Sequence, residues 1–145
     1  MAMKDSMRFR QVHLDFHTSE KIPGVGSQFS KKQFQQMLTL GHVDSITLFS
    51  KCHHGLSYHP TKVGKMHPGL DFNLLGEQII ACKKINVKTP VYISAGFDQY
   101  YYVGNPGDAV VNKKPQEPLE VGYRRLCFNT KYLDHLCRQI EEVMG

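Results

Sequence analysis

The chain has 145 residues, of which 41% are hydrophobic, 21% charged and 10% aromatic, with a formal net charge of +5. Length and composition are those of one globular domain and exclude disordered, collagenous and disulfide-framework proteins. No stretch approaches the ~20 consecutive apolar residues of a membrane span, and the start Met-Ala-Met-Lys-Asp-Ser-Met-Arg lacks the apolar core of a signal peptide, so the expectation is a cytoplasmic protein with no membrane partner.

The elements follow in chain order. Gln11 to Phe16 alternates polar and apolar residues as a strand does, and the Pro23, Gly24 and Gly26 stretch then breaks the chain. Ser30-Lys-Lys-Gln33 is a capping box that opens a helix with Phe34, Met37 and Leu38 on one face and Gly41 at its end. A second strand runs from Ser45 to about Cys52, followed by a long loop marked by Pro60, Gly64, Pro68 and Gly69. Helix two begins near Asn73 with a buried stripe of Leu75, Ile79, Cys82 and Ile85. Strand three is Pro90 to Phe97, and a long polar loop spans Asp98 to Asn129. The last helix, Thr130 to Met144, carries Leu133, Leu136, Ile140 and Val143 at helical spacing.

Three strand and helix pairs predict an α/β fold with parallel strands in order 1-2-3, right-handed crossovers and all helices on one side of the sheet. The other side has a polar character. His13, Asp15 and His17 alternate with Val12, Leu14 and Phe16, while Thr47, Lys51 and His53 oppose Ile46 and Leu48. Tyr92, Ser94, Gly96 and Asp98 likewise oppose Val91, Ile93, Ala95 and Phe97. One apolar face and one titratable face match the interior of a (β/α)8 TIM barrel, polar toward the C-terminal strand ends. A complete barrel takes about 250 residues and eight strands. The chain therefore reads as its first three βα units, residues 1–145 forming one N-terminal fragment: a truncated gene, a gene-model fragment, or a piece that needs the remainder in trans.

Basic residues occur singly or in pairs (Lys31 and Lys32, Lys83 and Lys84, Lys113 and Lys114, Arg124 and Arg125), which reads as solvated surface and not as a nucleic-acid footprint. Cys52, Cys82, Cys127 and Cys137 show no C-x-x-C pair and read as reduced packing residues. His59 and His67 taken with His53 match no zinc spacing, so the reading calls for no metal and no cofactor. His42 and His135 read as surface or helix-end residues. Tyr100, Tyr101 and Tyr102 fit a sugar-stacking platform and ordinary loop packing equally well.

Five blocks carry a family resemblance: Arg10-Gln-Val-His-Leu-Asp-Phe-His-Thr-Ser19, Phe49-Ser-Lys-Cys-His-His-Gly55, Tyr58-His-Pro-Thr-Lys-Val-Gly64, Asp71-Phe-Asn-Leu-Leu-Gly-Glu-Gln78 and Leu126-Cys-Phe-Asn129. In this order they resemble the N-terminal part of the hypothetical glycosyl hydrolase 6 family, itself similar to the alpha-L-fucosidases, whose second strand ends in a Lys-His-His-type motif like Lys51, His53 and His54. The resemblance implies a retaining glycosidase whose two catalytic carboxylates sit ~5–5.5 Å apart and lie beyond Gly145, leaving no catalytic residue in this chain. It also implies that His53, His54 and His17 bond sugar hydroxyls; Thr18 and Ser19 depart from the fucosidase pattern after His17.

Independently of any family, a neutral imidazole offers one donor and one acceptor, which suits a hydroxyl. The same pair also fits strand-end residues bonded to backbone. Lys51 and Asp98 complete the expected substrate-binding set, and Asp15 and Asp98 are expected to support by pairing with Lys51 or a histidine, because buried charges are costly alone. The expected partner is a carbohydrate, with self-association through open sheet edges. A non-catalytic sugar-binding remnant, a beta-galactosidase-like enzyme and a metal-dependent barrel hydrolase stay open, although the last needs an H-x-H pair where His13 and His17 are separated by three residues.

Overall fold

Strands and helices alternate along the residues that the computed structural model describes, which are 8–111, 113 and 122–145; the start segment 1–7 and Lys114 lie outside them. The elements are β1 (Gln11–His13), α1 (Lys31–Leu40), β2 (Ser45–Lys51), β3 (Leu56–Ser57), β4 (Lys65–Met66), α2 (Leu74–Lys84), β5 (Val91–Ile93), α3 (Gln99–Gly104) and α4 (Tyr132–Met144).

Strand β2 is the centre of the sheet. It pairs in parallel with β1 along Ser45, Ile46 and Thr47 on one edge and with β5 along Leu48, Phe49 and Lys51 on the other. These three strands keep the expected parallel order, but the sheet as a whole is mixed. Strand β3 runs antiparallel to β2, with Ser57 opposite Lys51, and β4 runs parallel to β3. Both extra strands fall where a loop was expected, because two-residue strands are too short to show a period.

The helix starts follow from their caps. Ser30 Oγ accepts from the Gln33 N–H at 3.3 Å, and Asn73 Oδ1 accepts from the Gly76 N–H at 2.8 Å, each satisfying a first-turn donor. Leu38 of α1 and Leu75 and Cys82 of α2 then pack on Ile46 and Leu48 of β2. Tyr132 and Leu136 of α4 pack with Leu126 and Ile93. Leu48 pairs with Val91, so Ile46, Leu48, Val91 and Ile93 share one face, and α1, α2 and α4 all lie against it. A further cluster forms around Tyr58, with Val25, Leu56, Leu70 and Leu74.

Several expectations need correction. Met37 is 54% exposed, so the α1 stripe runs through Phe34 and Leu38. The buried face of α4 is Tyr132, Leu136 and Gln139, while Leu133 and Ile140 face out. The helix is turned because Gln139 and Tyr132 are needed by a buried lysine described below. Cys137 is exposed, unlike Cys52 and Cys82. The segment after Asp98 is not all loop, since it contains α3 and the buried Leu126. Among the described residues no helix is long and apolar enough to cross a membrane.

Leu48 is fully buried at the centre of this arrangement. Leu48→Ala is expected to cost about 2–5 kcal/mol, through lost transfer energy and the cavity left behind. Urea unfolding checks this; a loss under about 1 kcal/mol would mean that the helices do not close on β2.

Candidate functional site

The site begins with an irregularity in β2. Phe49 pairs with Tyr92, yet Lys51 pairs with Ile93, so the pairing has slipped by one residue at Ser50. A bulge of this kind moves the following side chain to the other face. Strict alternation would leave Lys51 on the open face beside His13 and Asp15. Instead Lys51 joins Ile93 on the helix side and is 1% exposed. The opposite face carries the exposed His13, the half-buried Tyr92 and Phe49, which is buried in the cluster around Tyr58.

After Cys52 the chain turns, and His53 and His54 both lie in the turn and not in the strand. Their side chains can therefore diverge. The His53 ring lies 4.3 Å from that of His17, and its backbone N–H donates to His17 Nδ1 at 3.3 Å. His54 has Nε2 3.0 Å from the Tyr123 hydroxyl and Nδ1 3.7 Å from Cys52 Sγ, and the Tyr123 ring packs on both histidines, 5.7 Å from His53 and 5.3 Å from His54. It borders a cleft of about 690 Å³ whose walls include Glu20, Tyr100 and His135. The structure thus brings His17 and His53 together and places His54 next to them on a different opening.

Partners fix the protonation of the first two rings. His17 Nδ1 accepts a backbone N–H, so Nε2 carries the hydrogen and donates to Asp15 Oδ1 at 3.2 Å. The Ser94 hydroxyl donates to the Phe97 carbonyl at 2.8 Å and so accepts from His53 Nδ1–H at 2.7 Å. Beneath them Phe49 stacks on Tyr92 with centroids 4.2 Å apart, and the edges of His13 and His17 meet Phe49 at 5.3 and 5.2 Å. The result is a set of hydrogen-bond donors and acceptors on an aromatic floor.

Three residues of this site escaped the sequence reading. Tyr58 is buried, donates to the Phe16 carbonyl at 2.8 Å and accepts from the Thr18 N–H at 3.1 Å, so it holds the backbone on both sides of His17. Tyr123 reaches His54 from far along the chain, with no local pattern to announce it. Phe97, expected on the apolar face, packs 4.9 Å from His53, because β5 ends at Ile93 and alternation ends with it.

Lys51 and Asp98 are both buried beneath the turn, and Asp98 lines the cleft that His54 borders. Lys51 Nζ donates to Asp98 Oδ2 at 2.8 Å and to Gln139 Oε1 at 2.9 Å, with Asp98 also 1% exposed. Burial pushes the Lys51 ammonium below its ordinary value, and the neighbouring Asp98 carboxylate opposes that shift. His135 is not a bare helix-end residue: it is half-buried, with Nε2 3.9 Å from Asp98 Oδ2 and its ring 4.7 Å from Tyr101. Tyr101 donates to Asp108 and packs on Tyr132, whereas Tyr100 is 55% exposed. His59 bonds Ser50 Oγ, and the buried His67 donates from Nε2 to the Ser19 carbonyl and accepts the Gly69 N–H.

Burial lowers the pKa of both His54 and His135. The unfolded chain therefore takes up protons near the ordinary imidazole value of about 6.5, where the folded chain resists them. Stability falls as pH drops from there to the folded values, and these two residues add no further loss below. Melting temperatures recorded from pH 8 to pH 5 are expected to decline below about pH 6.5, with a flatter decline in His54→Gln and His135→Gln. An unchanged slope in both variants would remove burial as the cause.

The geometry can be set beside known proteins. The family model of hypothetical glycosyl hydrolase 6 matches residues 30–145. Among solved structures, alpha-L-fucosidase isoenzyme 2 from Paenibacillus thiaminolyticus is similar at 50% identity with a TM-score of 0.88, over 94% of this chain and 22% of that one. The chain thus spans about a fifth of that protein. A fucosyltransferase mutant of the alpha-L-fucosidase AlfC gives a TM-score of only 0.44 at 23% identity, over 49% of this chain and 23% of that one. No curated protein matches the sequence. With the family model covering most of its length, the chain belongs to the hypothetical glycosyl hydrolase 6 family.

Proposed function

We propose that this chain forms the N-terminal part of a (β/α)8 glycoside hydrolase barrel of alpha-L-fucosidase type, contributing a sugar-binding wall and no catalytic carboxylate. The observation that carries the reading is the pair of His17 and His53 over the Phe49–Tyr92 floor, at the C-terminal ends of parallel strands. Barrel active sites form at those ends. The half-buried Tyr92 ring presents an apolar surface to the C–H side of a pyranose. The His53 ring, oriented by Ser94, meets the sugar on one side of the turn, and His54 with Tyr123 offers a donor and acceptor pair on the other. Neutral groups do this without burying a charge in the pocket.

The two acidic residues expected near the strand ends are already engaged, Asp15 by His17 and Asp98 by Lys51. A retaining mechanism needs one carboxylate as nucleophile and another as acid, and in this reading both come from the remainder of the barrel. Leu133, Ile140 and Met144 on the outer face of α4 are 42%, 36% and 82% exposed, which supports association with that remainder or with a second copy. Specificity for a galactose-configured sugar is the rival within the same class.

The test is binding followed at the imidazoles. Titrating the 15N-labelled chain with L-fucose is expected to move the side-chain signals of His17, His53 and His54, and D-galactose to move them less. His53→Ala and His54→Ala should each weaken binding by about 1–3 kcal/mol. Imidazoles that stay unmoved would contradict the reading. The purified chain is expected not to hydrolyse aryl alpha-L-fucosides; turnover abolished by Asp15→Asn would overturn the assignment of both carboxylates elsewhere.

A further inference from the structure

An ion pair buried at 1% exposure on both sides demands an explanation, since removing two charges from water costs more than a surface pair returns. The geometry around it supplies one. Asp98 uses its two oxygens on two elements: Oδ2 accepts from Lys51 Nζ at 2.8 Å, and Oδ1 accepts from the Tyr101 N–H at 2.9 Å, capping α3. The first two residues of α3 spend their N–H groups on the turn itself. Gln99 donates to the His53 carbonyl at 3.1 Å and Tyr100 to the His54 carbonyl at 3.0 Å. Three of the donors that a helix start leaves unpaired are thereby used, two of them on the histidine pair.

Lys51 is also the last residue of β2, two positions before His53, and Gln139 of α4 holds its ammonium from the far side at 2.9 Å. Gly55 closes the arrangement. At φ +81° it is in the left-handed region, and a Cβ there would stand 2.0 Å from Asp98 Oδ1, so only glycine lets the turn approach the carboxylate.

We propose that Lys51 and Asp98 are positioning residues for the histidine turn: their buried pair fixes the start of α3 against the end of β2, and α3 in turn fixes the backbone of His53 and His54. The claim rests on the sugar-wall reading for its purpose and on geometry alone for its existence. Two side chains that diverge from one turn keep a set direction only if that turn is held, and these bonds hold it.

Amide hydrogen exchange and imidazole NMR signals of the chain test this without any sugar. In the unsubstituted protein the Gln99 and Tyr100 amides should be protected about as well as that of Leu48. Fast exchange at both would overturn the proposal before any substitution is made. Asp98→Asn keeps an α3 cap and loses the charge, and Lys51→Met loses the ammonium. Each should speed exchange at Gln99 and Tyr100 by at least about tenfold and move the His53 and His54 signals, with His42 unmoved. A single variant leaves a lone buried charge, so the double variant Lys51→Met/Asp98→Asn guards against mere unfolding. It should recover melting temperature relative to either single variant while its His53 and His54 signals stay displaced. Recovery of both together, or undisturbed histidines in any folded variant, would make the pair structural only. If L-fucose moves no imidazole in the unsubstituted chain, the functional reading falls and the positional result stands.

Discussion

The bulge at Ser50 decides the rest of the molecule. Without it, Lys51 would follow Phe49 onto the other face, a charged residue beside the aromatic floor, and the helix side of β2 would end at Ser50. With it, the lysine passes under α4, where its charge has to be met by Asp98 and Gln139. Meeting it turns α4 so that Tyr132, Leu136 and Gln139 face inward. The same pairing draws Asp98 to the start of α3, and α3 reaches back to the carbonyls of the histidine turn. One inserted residue therefore takes the lysine off the open side, where imidazole, hydroxyl and ring lie beside the exposed Asp15 carboxylate.

That separation matters for recognition of an uncharged polyhydroxyl ligand. Hydroxyl groups need donors and acceptors in fixed directions, and a nearby uncompensated charge would instead recruit water. Both nitrogens of the His17 ring are tied to the protein, Nδ1 to the His53 backbone and Nε2 to Asp15, and His53 Nδ1 is tied to Ser94. Tyr58, bonded on both sides of His17, extends the same control to the first strand. The rings are thus set by second partners before any ligand arrives, which reduces the ordering cost of binding.

Much of this was legible from residues alone. The alternation in Ile46–Phe49 found the two faces of β2, and the capping box at Ser30 found the start of α1, because period and cap chemistry are local properties; alternation read on to Phe16 and Cys52 failed, since both pack with Phe49. The His53–His54 turn was also readable, since adjacent strand residues cannot both face one pocket. What failed was whatever depends on a single irregular residue or on distant pairing. Nothing in Ile46-Thr-Leu-Phe-Ser-Lys51 marks Ser50 as the bulge, so Lys51 was assigned the wrong face. The stripe on α4 was read by hydrophobicity, which favours Leu133 and Ile140, whereas a buried ammonium elsewhere selected Gln139. Tyr58 and Tyr123 act across 40 and 69 residues of separation, and no window of sequence contains both partners.

The central claim is that His17, His53 and His54 form a wall against which a sugar sits. The most direct measurement is a crystal structure of a longer polypeptide carrying this segment, with a fucose-configured inhibitor bound. The account predicts sugar hydroxyls within about 3.2 Å of the His53 and His54 rings, with the C–H side of the sugar over Tyr92. A sugar bound away from the ends of β1 and β2, with Phe49 and Tyr92 covered by other chain segments and the histidines bonded only to protein, would contradict it.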